Sequence, residues 1–165
     1  MVKRLGVLVL ALSFVTGVAW GGVSGYRGLV KFLTDLPGWA GEKPDGMTMD
    51  SPQGRMITAT RNYKKGEKTF SLAILVGGSA TMAMAPIQMG MSMETPEVLM
   101  KTISFKGFRA GVNYNKKERE GGIVVQLSTQ NPPAALVVNF HAMDYRDALD
   151  LLDHFDVKGM ASALK

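Results

Sequence analysis

The 165-residue chain has no cysteine, 12 methionines and a formal net charge of +5 at pH 7. The missing thiols exclude disulfide frameworks, thiol nucleophiles and thiolate metal sites, so stability must come from packing alone. The charge carries no nucleic-acid signature, because Lys64, Lys65, Lys68, Lys116, Lys117 and Arg119 fall in predicted turns, interleaved with Glu67, Glu118 and Glu120.

Lys3 and Arg4, the uncharged run from Leu5 to Val15 and the small residues Gly17 and Ala19 have the order of a signal peptide, with cleavage after Ala19 or Gly21. Trp20 and glycines 17, 21 and 22 interrupt the alternative, an uncleaved anchor, which wants about twenty solidly apolar positions. The expected organisation is a leader over 1–21 and a single domain over 22–165, long enough to bury a core, in the periplasm or secreted.

Leu29, Val30, Leu33 and Leu36 repeat at helical spacing and predict a helix over 26–36, stopped by Pro37-Gly38, with Trp39 folding back on the core. The stretch from Gly41 to Gly54, rich in Gly, Pro and Asp, reads as a loop. Strands are predicted over 56–63 and 69–76, with Phe70, Leu72, Ile74 and Val76 on one face and Ile57, Ala59 and Tyr63 opposing them.

An uncharged methionine-rich segment follows. Beyond it, Phe108, Ala110, Val112 and Tyr114 alternate with polar residues, Ile123, Val125 and Leu127 share a face, and a last strand is predicted over 134–141. The two hairpins carry Asn62-Tyr63-Lys64-Lys65 and Asn113-Tyr114-Asn115-Lys116-Lys117 at corresponding places, a likeness that the common need for polar turns explains. Asp144 is placed to cap a C-terminal helix whose apolar stripe is Tyr145, Ala148, Leu149, Leu152 and Phe155. The fold expected is α+β: a largely antiparallel sheet of about five strands, N- and C-terminal helices, and the methionine-rich segment packing on it, as a two-layer or α/β/α sandwich.

Methionine is the unusual feature. Met82, Met84, Met89, Met91, Met93 and Met100 crowd the middle of the chain, and Met47 and Met49 form another Met-Xaa-Met pair. Thioethers are soft ligands that favour Cu(I) or Ag(I), which makes Met89, Met91 and Met93 the candidate metal residues, with His141 or His154 to complete a site. Methionine also fills irregular apolar space, so core packing, or an apolar cover facing a protein or lipid partner, is the competing and preferred reading.

Other chemistry finds little support. Gly77-Gly78-Ser79-Ala80 lacks the spacing of a nucleophile elbow, no phosphate-binding glycine loop occurs, and Asp144, Asp147, Asp150, Asp153 and Asp156 at threefold spacing spread around a helix instead of converging. His141 shares the parity of Asn139 on the polar side of its strand, and His154 follows Asp150 by one helical turn. Phe105, Phe108 and Tyr114 read as core rings, not as a stacking surface. Gly77-Gly78, Pro86 and Gln88 argue against a membrane span over 70–93.

The leader, Leu36-Pro37-Gly38-Trp39, the lysine-rich hairpin, the methionine-rich middle and the closing Phe155-Asp156-Val157-Lys158 give a layout that resembles small exported bacterial proteins of unknown function. The element order is also similar to the PsbP/Mog1-like sandwich. That resemblance implies an accessory or binding role and transfers no functional residue. The function expected is therefore a non-enzymatic exported accessory or binding protein without a cofactor, with a protein or apolar partner on the methionine segment and no nucleic acid. The alternative is a methionine-rich Cu(I)- or Ag(I)-binding protein, with copper as its cofactor.

Overall fold

In the computed structural model, residues 24–165 are described; the leader expected over 1–21 lies outside them. In chain order the elements are α1 (Arg27–Val30), β1 (Ala40–Gly41), β2 (Asp45–Ser51), β3 (Gly54–Lys65), β4 (Lys68–Val76), α2 (Gly78–Gln88), β5 (Met93–Glu94), β6 (Val98–Phe105), β7 (Phe108–Asn115), β8 (Glu120–Ser128), β9 (Ala134–His141), α3 (Tyr145–Leu152) and α4 (Val157–Ala163). All strand pairings are antiparallel. They form one sheet in the order β1-β3-β4-β9-β8-β7-β6-β5, with β2 also on β3.

The twofold period of the strands divides this sheet into two unlike faces. Phe70, Leu72, Ile74 and Val76 stand opposite Tyr63, Arg61, Ala59 and Ile57 on one side and Phe140, Val138, Leu136 and Ala134 on the other. This row continues through Ile123 and Val125 to Ala110 and Val112, making a continuous core face. Leu29, Leu33, Leu36, Leu152, Phe155, Val157 and Met160 cover it. At its centre Tyr63, Phe70 and Phe155 lie with ring centroids 5.8 to 6.3 Å apart. Burying each large apolar side chain of this kind stabilises by roughly 1.5–3 kcal/mol.

This architecture corrects the expected one. Among the described residues nine strands form an antiparallel sheet accompanied by four short helices, in place of about five strands in a helix-packed sandwich. The segment read as a loop over 41–54 contains β2, whose residues are exposed or half-buried, so no alternation marks it. In β6, Lys101 stands in the inward set between Leu99 and Ile103, and its ammonium donates to the Tyr145 hydroxyl at 3.0 Å; the charge hides the strand's period. The helix predicted over 26–36 shortens to Arg27–Val30, and Leu33 and Leu36 reach the core from the turns that follow.

The methionine segment is corrected too. It splits into α2, a turn at Met89-Gly90 and the short β5. Of its methionines only Met84 is buried; Met82, Met89, Met91 and Met93 are exposed, Met82 by 79%. Core packing therefore accounts for Met84, and otherwise for Met143 and Met160 elsewhere in the chain.

Candidate functional site

The second face of the sheet is only partly covered. α2 lies on it and buries Ala80 and Met84 against Ala135, with Leu75 and Val124 beside them, a cluster separate from the main core. Ile87 sits over Gly111, where a Cβ would come within 2.7 Å of its Cγ1, so the glycine sets how closely the helix approaches. Beyond the helix the strand faces are open, and a cleft of about 650 Å³ runs along them.

The cleft has two kinds of wall. Ala83, Pro86 and Ile87 of α2, together with Met91 and Met100, form an apolar side. The floor is a row fixed by strand register: Ser71 beside Asn139, Asn139 beside Gly122, Gly122 beside Asn113, and Asn113 beside Met100. Amides and a hydroxyl thus offer uncharged donors and acceptors along the bottom. Gly122 leaves the floor open at its centre: a Cβ there would meet only Val138 O and Asn139 Oδ1, at 3.4 and 3.5 Å. Its neighbour Gly121 points the other way, where a Cβ would collide with the Asn113 carbonyl oxygen.

At one end His141 stands beside Thr69, and its Nδ1 lies 3.0 Å from Glu120 Oε2. The hydrogen bond from the imidazole holds the Glu120 carboxyl below its usual range. Thr69 and Ser71 also line the cleft, yet neither hydroxyl makes a hydrogen bond with the His141 ring.

The candidates named from sequence separate here. Met91 lines the cleft, whereas Met89 caps the C-terminal end of α2 and points to solvent. Met93 stands opposite Met100 in the β5–β6 pairing, a partner that no local spacing reveals. His141 is three strands away from β6, about 14 Å at the usual strand separation. His154 follows α3 on the core side, with Nδ1 3.1 Å from the Asp150 carbonyl oxygen. Neither histidine joins the methionines.

Sequence reasoning missed the floor residues Ser71 and Asn113, as well as Glu120 and Met100. Strand parity alone could have placed Asn113 and Asn139 on one face; their adjacency through Gly122 depends on strand order. Among the described residues no three His, Cys, Asp or Glu side chains cluster to hold a metal, and no helix is long and apolar enough to cross a membrane. The chain matches no family model, no curated protein and no solved structure.

Proposed function

We propose that this protein is an exported, non-enzymatic binding protein that takes a small, uncharged amphipathic molecule into the cleft beside α2. The observation that carries the reading is the pairing of an apolar wall, Pro86 and Ile87, with a floor of neutral hydrogen-bonding groups, Ser71, Asn113 and Asn139. A ligand with an apolar side and an amide- or hydroxyl-bearing side satisfies both.

The test is a titration of the protein from residue 22 onward with octyl glucoside below its micellar concentration and with hexanamide, followed by amide and side-chain NMR shifts. Saturable shifts confined to Ser71, Asn113, Asn139 and α2 are expected with at least one probe. Gly122→Leu, which fills the floor without a backbone clash, should weaken that binding tenfold or more. No saturable shift, or equal binding by Gly122→Leu, would sink the reading.

A further inference from the structure

Four of the six exposed methionines fall into two similar groups, each completed by a half-buried methionine on the neighbouring strand. In one, Met47 and Met49 lie on the same face of β2, and Met49 stands opposite Met56 on β3. In the other, Met91 borders the cleft, Met93 is two residues further on, and Met93 stands opposite Met100 on β6. Each group is therefore Met-Xaa-Met with a third methionine paired across a hairpin, seven residues after the second. The two groups flank α2, one toward each edge of the sheet, on the face opposite the main core.

Directly opposite side chains in an antiparallel pair have Cβ atoms about 5 Å apart, and same-face neighbours along a strand, as Met47 and Met49 are, lie about 7 Å apart; Met91 stands just before β5, two residues from Met93. Three unbranched side chains, each with a sulfur at the end of rotatable bonds, can converge on one ion from such positions. Met47, Met49, Met91 and Met93 are 40 to 53% exposed, and Met56 and Met100 are half-buried. The adjacent carboxylates are already engaged: Asp50 pairs with Arg55 at 2.6 Å and Glu94 with Lys116 at 2.9 Å. A neutral all-sulfur donor set favours a soft monovalent cation over Ca²⁺, Mg²⁺ or Zn²⁺.

We propose that Met47, Met49 and Met56 form one three-thioether site for Cu(I) or Ag(I), and that Met91, Met93 and Met100 form a second. The proposal does not depend on the amphipathic ligand. It replaces Met89 by Met100 in the ligand set and adds a site on the opposite side of α2.

The experiment adds Ag(I), as nitrate in chloride-free buffer, to the protein from residue 22 onward carrying ¹³C-methyl methionine, with native mass spectrometry in parallel. Two equivalents should bind, moving the methyl signals of the six named methionines while those of Met82 and Met89 stay in place. Cu(I) under anaerobic, reducing conditions should give the same stoichiometry. Met47→Leu/Met49→Leu/Met56→Leu and Met91→Leu/Met93→Leu/Met100→Leu should each retain one equivalent, the surviving site reporting that the variant is folded. Met82→Leu/Met89→Leu should retain two. Fewer than two equivalents on the unsubstituted protein, or loss of an equivalent in Met82→Leu/Met89→Leu, would overturn the proposal. The Gly122→Leu variant separates the two ideas, since it blocks the cleft floor and leaves all six sulfurs in place.

Discussion

Arg61 occupies a position in β3 where the inward period calls for an apolar side chain. Its guanidinium is spent on the chain that precedes β2: Nη1 donates to the Leu33 carbonyl and Nε to the Glu42 carbonyl, each at 2.7 Å, while Nη2 pairs with Asp35. It also lies 5.1 Å from the centroid of the Tyr63 ring. Two connecting segments, one at Leu33 and Asp35 and one at Glu42, are thereby fastened to one residue. Arg61→Leu should cost about 2–4 kcal/mol in urea unfolding, because two carbonyls lose a charged donor in a largely buried setting. Arg61→Lys should recover less than half of that, since one ammonium cannot replace a planar fork. At this scale the sequence was only partly legible: an arginine in an inward register looks like a break in the pattern, and its partners at 33, 35 and 42 are related to it only by the fold. The same holds for Met100, whose pairing with Met93 exists only once the β5–β6 turn is formed.

Elements with strong local signals emerged as the residues suggest. The β3–β4 hairpin turns at Gly66, whose φ of +59° suits a residue without a side chain, and its inward apolar residues match the alternation in sequence. The start of α3 was equally legible, since the Asp144 side chain accepts from the Arg146 backbone N–H at 2.8 Å. The break after Leu152 was not: Asp156 caps a separate α4 by accepting from the Gly159 N–H, also at 2.8 Å. Asp144→Ala and Asp156→Ala should each lower stability by about 1 kcal/mol, read as a shift of the urea midpoint with unchanged slope. Elements without buried side chains gave no warning. β2 and β5 are edge strands held by backbone pairing, and hydrophobic periodicity cannot report such a strand.

For the whole molecule, alkaline conditions set a limit that follows from the core. Burial pushes the Tyr63 phenol up to about 12 despite the opposing influence of Arg61, and its hydroxyl donates to the Thr34 carbonyl at 2.6 Å. Burial also raises the Tyr114 phenol. A phenol with a raised folded-state pKa contributes stability that is complete below about pH 10 and lost as pH rises through 12. Tyrosinate absorbance should therefore show a late component that coincides with loss of near-ultraviolet circular dichroism, and Tyr63→Phe should remove most of it. Antiparallel pairing was legible in advance; strand number, and whether one or both faces of the sheet would be covered, were not, because they depend on strand order and on elements without a local signal. That asymmetry bears on α2. Its anchorage is Ala80, Met84 and Ile87, of which Ala80 and Met84 pack in a cluster separate from the main core, so this contact is independent of those that hold the ladders from β3 to β7. The opening free energy of the α2 amides in native-state hydrogen exchange is therefore expected to fall below that of β3 to β7, which would set the wall of the cleft apart from its floor in stability.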